Sequence, residues 1–404
     1  MLTQPFQPSR ALYRVGKYLL PQESLYWQTY GYPAPQQVAS LPELQQRFPE
    51  CVTVRCGQME PTLEPSTFDI VSAGAVTTGQ LPELAGQQNR VHVIQGGASV
   101  GRNCCLLGPE DTIVSETGFY LDSAVLARSL TLGRLHPHFW RYRWQGDLRS
   151  RWTLPKRQYI EGAIAPINNR CSHNFFHWLT EVAPRITAIE MVGLRPDWYL
   201  VDCQSRFQQQ VLEMLGVPLS KVIQPHCALH LAADELHYVK DVSREVLCRF
   251  AAAIKDRLQL PTRSSGKKIY ISRRKARHRK VANERQIEDH LRTLGFEVLC
   301  FEDLMCKDQF RAISEAQIVL TTHGAALANC IFAAPQTDII ELFPNRRLNV
   351  DLYPTLSRNC GLRHHTVLIE SSKYLQRIRV DMPDLTVSLG LCNAAPTSAR
   401  RRAA

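Results

Sequence analysis

A histidine and a glycine follow a strand-like apolar run in the stretch LTTHGAALANCIF, Leu320–Phe332. His323 and Gly324 come directly after the run, and Ala325 and Ala326 begin what reads as a helix. In open α/β sheets, ligands bind where the carboxyl ends of strands lead into helices. Small residues at such a helix start let an anion approach backbone N–H groups, which the helix dipole also favours. Close packing of a helix on a sheet explains the pattern equally well, and both interpretations stay open.

Two arginines follow a second strand-like run, KKIYISRR. Ser272, Arg273 and Arg274 would lie at the same edge of a parallel sheet as His323. Guanidinium groups bind phosphate oxygens through paired hydrogen bonds. Further cations follow as far as Lys280, and a solvated loop explains at least half of that run. The two strand ends together outline a site for a diphosphate.

The usual nucleotide-binding motifs are absent from the sequence. No GxGxxG follows the first strand of this region and the chain has no GxxxxGK[ST], which disfavours NAD and P-loop chemistry. The remaining common use of such an edge is a nucleotide held by its diphosphate while an attached group reacts. Glu341, at the end of TDIIE, would accept hydrogen bonds from ribose hydroxyls, although an ordinary helix cap explains it nearly as well.

A second group of polar and aromatic residues lies on the amphipathic stretch SHNFFHWLTEVAPR. The residues that helical spacing brings together are His173, Asn174, His177, Trp178, Glu181 and Arg185. Glu181, one turn after His177, would orient the imidazole and raise its basicity, as a general base requires. A capped helix with a satisfied histidine is the alternative, which a lone histidine would favour. Zinc is disfavoured because Asn174 stands where the helix of a zinc hydrolase has glutamate.

Alternating strands and helices must position these residues, and the alternation is cleanest after the break QLPTRSSG, residues 259–266. It predicts parallel βαβ units and a Rossmann-like, nucleotide-binding domain over residues 261–372. The segment 373–404 is expected to return to the N-terminal domain or to end as a disordered polar tail.

The first part of the chain has a different pattern. Residues 1–260 are predicted to form an N-terminal, acceptor-side domain. Short alternating runs and turn residues make residues 1–150 strand- and turn-rich. Residues 151–260 read as α/β and contain the helix with His177 and Trp178.

Composition bounds the class of protein. The 404 residues are 44% hydrophobic and 21% charged, as in globular proteins, and the length suits two domains. We expect neither a membrane span nor a secretory signal from the hydropathy pattern. Thirteen scattered cysteines without metal-binding spacing fit a reduced, cytoplasmic setting. The net charge of +11 favours phosphorylated ligands or an anionic membrane face, and no nucleic-acid-binding motif accompanies it.

Three sequence blocks, spanning about residues 158–345, resemble glycosyltransferase family 61 in the expected order. The blocks are NNRCSHNFFHWLTEVAPRI, KIYISRRKARHRKVANERQI and DQFRAISEAQIVLTTHGAALANCIFAAPQTDIIELFP. They are similar to the family's Asn-Tyr-x-His-Trp-x-x-Asp/Glu-x-x-Pro-Arg, Ser-Arg-Arg…Asn-Glu and His-Gly-Ala-Gly-Leu-x-Asn…Glu blocks. Ala326 departs from the family, which usually has glycine there. Relatives in the family include O-linked N-acetylglucosaminyltransferases and plant xylan arabinosyl- and xylosyltransferases.

The resemblance implies an α/β fold of the GT-B type, with two Rossmann-like domains facing across a cleft and the donor nucleotide on the C-terminal one. It implies an inverting, metal-independent transfer, without a cofactor, from a nucleoside-diphosphate sugar to a glycan or lipid-linked saccharide. The expected setting is surface or capsular polysaccharide biosynthesis in the cytoplasm, with peripheral contact at the inner membrane face as a further expectation. A nucleotide-sugar epimerase and an inactive nucleotide-sugar-binding protein remain alternatives.

Matching motif positions assign roles to individual residues. The predicted nucleotide-sugar site consists of Ser272, Arg273, Arg274, Gln309, His323, Gly324, Ala325, Ala326, Asn329 and Glu341. The residues expected on the acceptor side of the cleft are Asn174, Trp178 and Arg185. His177, with Glu181 behind it, is the predicted catalytic base, and His323 is its rival. Asn283 and Glu284 also match the family, although capping of the next helix explains them better. No metal ligand is expected.

Overall fold

The computed structural model describes eight segments of the chain. They are residues 32–33, 37–117, 153–154, 157–226, 229–276, 280–344, 350–369 and 377–392. Part of the basic run after Arg274 and the C-terminal tail lie outside the described residues. The predicted disorder of that tail therefore stays a prediction.

Nine α-helices lie wholly within the described residues. They are α1 (Leu41–Arg47), α2 (Phe175–His177), α3 (Pro184–Met191), α4 (Arg206–Met214), α5 (Arg244–Leu258), α6 (Glu284–Thr293), α7 (Cys306–Glu315), α8 (Leu352–Asn359) and α9 (Met382–Cys392). A π-helical turn spans Trp178–Val182. Four 3₁₀ helices span Pro109–Asp111, Leu219–Lys221, Phe301–Asp303 and Ala325–Phe332. Within the described segments, each helix is too short or too polar to cross a bilayer.

Twenty-one strands are described. The first ten are β1 (Tyr32–Pro33), β2 (Val38–Ala39), β3 (Val52–Met59), β4 (Ser66–Ser72), β5 (Ala75–Leu81), β6 (Gln88–Gln95), β7 (Ala98–Val100), β8 (Cys105–Leu107), β9 (Ile113–Val114) and β10 (Thr153–Leu154). The others are β11 (Gln158–Pro166), β12 (Trp198–Leu200), β13 (Val222–Ile223), β14 (His230–Val239), β15 (Lys267–Ile271), β16 (Lys280–Val281), β17 (Phe296–Leu299), β18 (Ala316–Thr322), β19 (Asp338–Pro344), β20 (Arg363–Ile369) and β21 (Arg377–Ile378).

The first sheet has ten strands built around four parallel ones, in the order β13-β12-β11-β14. Numbered along the chain, these four strands have the order 3-2-1-4, so the winding reverses between β11 and β14. β6 and β7 then pair with β14 in the antiparallel sense. Parallel strands that alternate with helices confirm the α/β class predicted from the sequence.

The second sheet has seven strands, in the order β17-β15-β18-β19-β20-β4-β5. Its first five strands are parallel and, numbered along the chain, have the doubly wound order 2-1-3-4-5. The winding therefore reverses between β15 and β18. In such sheets the crevice at the carboxyl ends of those two strands is where ligands bind.

The last two strands of the second sheet come from the N-terminal part of the chain. β4 pairs in parallel with β20, and β5 returns antiparallel to β4. The sequence analysis assigns these strands to the N-terminal domain by their position along the chain. Their short alternating pattern does not show which sheet they join. In the structure, this hairpin completes the sheet of the other half.

The segment after β21 forms a helix that the sequence analysis did not identify. The sequence analysis expects residues 373–404 to return to the N-terminal domain or to end as a disordered polar tail; in the structure α9 packs on the second sheet and contacts β4 and β20. Leu385 and Leu389 of this helix are buried in the same apolar cluster as Val71 and Val367. The carboxylate of Asp384 accepts hydrogen bonds from the backbone N–H groups of the turn between β4 and β5. The apolar residues of this segment, at helical spacing, thus pack against the second sheet and hold the helix there.

One apolar core joins the two sheets. It contains Trp178 and Phe250 beside the first sheet and Phe310 beside the second, together with Ile269 and Val319 of the second sheet's central strands. The helix α2 packs directly on the 3₁₀ helix Ala325–Phe332. The two halves therefore meet through the elements that carry the predicted site residues.

A buried imidazole holds the hairpin β4–β5 in the second sheet. His365 contacts Asp69 through Nδ1 at 2.9 Å and Asp338 through Nε2 at 3.0 Å. Arg363 donates to the other oxygen of Asp338 at 2.6 Å. Burial by itself lowers the pKa of His365, but hydrogen bonds to Asp338 and Asp69, and one with Cys392, raise it to about 11. The imidazolium therefore bridges carboxylates of strands from the two parts of the chain.

We expect the His365→Gln variant to lose stability in a pH-dependent way. Breaking such a buried pair costs about 3–5 kcal/mol near neutral pH. Because the folded-state pKa is raised, the stabilisation is fully present below about pH 6.5 and is lost as the pH rises through about 11. Urea unfolding between pH 6 and 11 should show the two proteins converging. The matched control is His290→Gln on α6, and a gap that stays constant with pH would contradict the ion bridge.

Candidate functional site

The loops that follow β15 and β18 meet at the reversal of the second sheet. Ile271 is the register partner of Thr321, so the residues after each strand emerge side by side. Arg273 lies beside Gly324: a Cβ added at Gly324 would stand 3.0 Å from the Arg273 Nη1 atom. The sequence prediction that these two strand ends are adjacent agrees with this geometry.

Two glutamates shape the loop that carries Arg273. Glu284 accepts hydrogen bonds from the backbone N–H of Arg273 at 2.7 Å and from the Ser272 hydroxyl at 2.7 Å. Ser272 also contacts Glu288 at 2.6 Å, and Arg274 lies 3.7 Å from the same carboxylate. Ser272 is buried and engaged below the loop, which corrects its predicted contact with the nucleotide. Glu284, which reads as a helix cap in the sequence, instead supports the loop from below.

His323 leads directly out of β18 and is held by a buried carboxylate. Its Nδ1 atom lies 2.5 Å from Oε1 of Glu341. The second oxygen of Glu341 accepts from Nε2 of His364 at 3.1 Å. Burial by itself raises the pKa of Glu341, but the hydrogen bonds from both histidines outweigh it, so the net pKa lies below the usual value. The carboxylate is therefore ionised at neutral pH.

The position of Glu341 corrects its predicted contact with ribose. The strand β19 continues to Pro344, so Glu341 lies within the strand rather than at its end. Its side chain is fully buried, and both oxygens contact histidines. Direct contact with a hydroxyl of a ligand would require displacement of those imidazoles. Glu341 instead supports His323.

The helix predicted after Gly324 begins at Ala325, as a 3₁₀ helix. Ala325 and Ala326 are half-exposed, and the first N–H groups of a helix have no carbonyl partner within it. Gln309 donates to the carbonyl of Phe301 at 2.8 Å, and Asn329 donates to that of Ala326 at 2.9 Å. Asn329 therefore holds the backbone at the helix start, whereas Gln309 holds the turn after β17 and accepts from Asn329 at 3.4 Å.

The second group of predicted residues lies on the helix that follows β11. Asn174 is the N-cap of α2, accepting from the N–H of Phe176 at 2.9 Å. The predicted contact between His177 and Glu181 is present, with 2.8 Å between Nδ1 and Oε1. Asn169, which the sequence analysis missed, donates to the other oxygen of Glu181 at 3.3 Å. His177 and Glu181 are both partly exposed, so this pair faces solvent as well as protein.

The single polar face predicted for this helix is wrong. The helix starts only at Phe175, which leaves His173 in the preceding turn, and a π-helical turn follows α2. Trp178 is fully buried in the core, and Arg185 is buried as well. Periodicity of 3.6 residues does not survive a π turn, which changes the face that later residues present.

Arg185 occupies the reversal of the first sheet. Its guanidinium donates to the carbonyl of Ile167, after β11, at 3.0 Å and to that of Lys240, after β14, at 3.2 Å. These carbonyls follow the two strands between which the winding reverses. The side chain predicted for the acceptor side therefore ties two strand ends together at the point where a ligand of the first sheet would bind.

Aromatic contacts connect the two groups of residues. The ring of Phe176 lies 5.2 Å from that of His177 and 5.5 Å from that of Tyr353, both edge to face. Tyr353 in turn lies 5.1 Å from His323 and donates its hydroxyl to the carbonyl of Gly324 at 2.7 Å. The His177–Glu181 pair and the His323–Gly324 loop thus border one site. Tyr353 was not predicted, because it lies on α8, outside every motif.

Potential metal ligands cluster elsewhere. Among the described residues, three side chains bring ligand atoms within 4.8 Å of one another: Asp338, His365 and Cys392. Asp338 is the first residue of β19, at the opposite end of the strand from the site. His365 already contacts carboxylates through both ring nitrogens. This cluster is part of the ion bridge that holds the hairpin.

Comparison with known families matches most of the region that contains the two groups of residues, although Asn174 and Glu341 lie just outside the match. The family model described as Glycosyltransferase 61 matches residues 175–340. The matched segment runs from the start of α2 to the middle of β19. No curated protein matches the chain. The family resemblance read from the sequence is confirmed.

We expect Arg185→Met to destabilise the fold by roughly 2–4 kcal/mol, because each buried carbonyl left without a donor costs about 1–3 kcal/mol. The matched control is Arg274→Met, an exposed arginine for which we expect a change within about 0.5 kcal/mol. Urea unfolding measures both. An Arg185→Met protein as stable as the parent would contradict the role of Arg185 in joining strand ends. It would favour the predicted role on the acceptor side of the cleft instead.

Proposed function

We propose that this chain, which is similar to glycosyltransferase family 61 over residues 175–340, transfers a sugar with inversion from a nucleoside-diphosphate sugar to a hydroxyl acceptor. The acceptor class that goes with this proposal is a glycan or lipid-linked saccharide in surface polysaccharide biosynthesis. A cytoplasmic setting goes with it, and the net charge of +11 would draw the protein toward an anionic membrane face.

One observation carries the donor assignment: Arg273 lies beside Gly324 at the reversal of the second sheet. A guanidinium, the imidazole of His323 and the first N–H groups of the helix at Ala325 are three kinds of group that bind phosphate oxygens. Their positive charge would stabilise the diphosphate as it leaves, which is where negative charge develops in the transition state. This arrangement supports a transfer in which protein groups, in place of a metal cation, stabilise the negative charge of the leaving diphosphate.

The two sheets suggest where donor and acceptor bind. Both have doubly wound parallel strands, which supports a GT-B arrangement of two Rossmann-like halves. Arg185 ties two strand ends together at the crevice of the first sheet, whereas the crevice of the second is lined by Arg273 and Gly324. The donor therefore belongs on the second sheet, and the acceptor approaches from the side of α2.

His177 is the base in this proposal. Its Nδ1 contacts Glu181, so Nε2 would accept the proton of the attacking hydroxyl, and Glu181 would stabilise the imidazolium that forms. The acceptor oxygen bonds to the anomeric carbon as the bond from that carbon to the diphosphate oxygen breaks. One displacement of this kind inverts the anomeric centre. The partial exposure of His177 suits a residue that must meet an incoming acceptor.

A donor screen tests the class of reaction. We expect one group among UDP-, GDP-, CMP- and dTDP-sugars to raise the melting temperature, because a ligand at about 100 times its Kd adds about 2.7 kcal/mol of stability. The protein should then release the nucleoside diphosphate only when an acceptor saccharide is present. Conversion of the free nucleotide sugar into an isomer would instead identify an epimerase, and stabilisation without any turnover would identify a binding protein.

Two substitutions should separate catalysis from binding. We expect His177→Gln to lower kcat by about 10²–10⁴-fold, the contribution of a general base, with the Kd for the nucleoside diphosphate unchanged. Arg273→Gln should weaken that Kd by about 10–100-fold, because a charge-assisted hydrogen bond contributes about 1.5–3 kcal/mol. Calorimetric titration measures Kd, and Arg249→Gln on α5, an exposed arginine paired with Glu245, is the matched control for which we expect no change in Kd. Lost binding in His177→Gln would move His177 into the donor site.

A further inference from the structure

Four side chains form a continuous row behind the candidate site. They are His323, Glu341, His364 and Ser357, joined by contacts of 2.5, 3.1 and 2.9 Å. All four are buried, from the fully buried Glu341 to His323, which is 7% exposed. His323 is the member nearest the diphosphate site. His364 and Ser357 lie beyond residue 340, outside the segment matched by the family.

The carboxylate at the centre of the row needs two donors. An ionised carboxylate in a fully buried position is costly unless its oxygens accept hydrogen bonds. His323 and His364 each supply one, to different oxygens. Loss of the donor from His364 would leave one oxygen of Glu341 unsatisfied. The carboxylate would then bind a proton or rotate, and either change alters its contact with Nδ1 of His323.

The outer end of the row fixes the ring of His364. Ser357 contacts Nδ1 of His364, which leaves Nε2–H as the donor to Glu341 when the ring is neutral. Ser357 lies one turn after Tyr353 on α8, and Tyr353 packs on His323 and bonds to the carbonyl of Gly324. One face of α8 therefore contacts both ends of the row.

We propose that His364 and Ser357 are positioning residues for His323, acting through the shared carboxylate of Glu341. The row directs Nδ1–H inward to Glu341 and orients the ring so that, in the imidazolium form, Nε2–H donates to a phosphate oxygen. This inference rests on the proposed function in that the ligand of His323 is the diphosphate of the donor. It adds two residues that touch neither substrate.

Kinetics of graded variants test this proposal. We expect His364→Leu, which has no donor, to lower kcat by about 100-fold, the effect of a small misplacement of a reacting group. His364→Gln keeps an N–H donor and should recover most of that loss. Ser357→Ala should lower kcat by about 5-fold, as expected for one hydrogen bond, and Ser357→Thr should restore it. The KM for the acceptor should not change in any of them.

The matched control is Ser314→Ala on α7. Ser314 is equally buried, but its hydroxyl bonds to a carbonyl of its own helix. A purely structural role of the row would lower kcat only in proportion to lost folded protein and would give no recovery in His364→Gln. Melting curves of all variants, recorded from below to above the assay temperature, give the folded fraction in each assay. This fraction separates the two cases.

A second measurement does not depend on activity. Histidine rings labelled with ¹⁵N report which ring nitrogen carries the proton, and His323→Gln identifies the signals of His323. We expect Ser357→Ala and His364→Gln to shift the His323 ring signals, whereas Ser314→Ala leaves them in place. Unchanged His323 signals in His364→Leu would overturn the proposal. Shifted signals in a protein that binds no nucleotide sugar would uphold the row and reject the proposed function.

Discussion

The parallel pairing of β15 with β18 is the constraint on which the site depends. Their register places Ile271 opposite Thr321, and the winding of the sheet reverses between them. No helix covers the carboxyl ends of two strands at such a reversal, so the loops that follow remain accessible. Arg273 and Gly324 owe their proximity to this pairing. A shift of the register would separate them, since neighbouring residues of a strand point to opposite faces.

The side chains beneath the two loops are as important for the site as the proximity of the loops. The loop with Arg273 is tied to Glu284, and the loop with His323 is tied to Glu341 and Tyr353. Each tie uses a buried or half-buried carboxylate or hydroxyl to hold a residue that carries charge toward the ligand. Such supports place a binding group accurately because they limit its rotamers before the ligand arrives. The aromatic contacts through Phe176 then set the distance between the His323 loop and the His177–Glu181 pair.

The sequence predicted the parts of the fold that follow from local pattern. Alternating strands and helices predicted the parallel sheet between β15 and β19, and hence the adjacency of Arg273 and Gly324. Spacing of four residues predicted the contact between His177 and Glu181. Patterns of this kind depend on neighbours along the chain, so they survive without knowledge of the tertiary structure.

The errors arose where distant contacts decide the outcome. Ser272 and Glu341 are polar residues near strand ends, yet tertiary partners bury both, and no spacing in the sequence shows those partners. The π turn after α2 changed the face presented by Trp178 and Arg185, and no residue in WLTEV marks it. Tyr353 and His364 escaped notice because they follow the recognised motifs. A tyrosine and a serine one turn apart on α8, followed by paired histidines on β20, are the signal that was available.

The hairpin β4–β5 has a consequence for how the protein is made. Asp69 must pair with a histidine 296 residues further along the chain. During synthesis on the ribosome the hairpin emerges long before β20, so its strands wait without their partner. Contacts between such distant residues slow folding, and an unpaired edge strand exposed meanwhile invites pairing with another chain. The second sheet can close only after β20 has emerged, 296 residues after the hairpin strand that carries Asp69, which makes its closure a late step in folding.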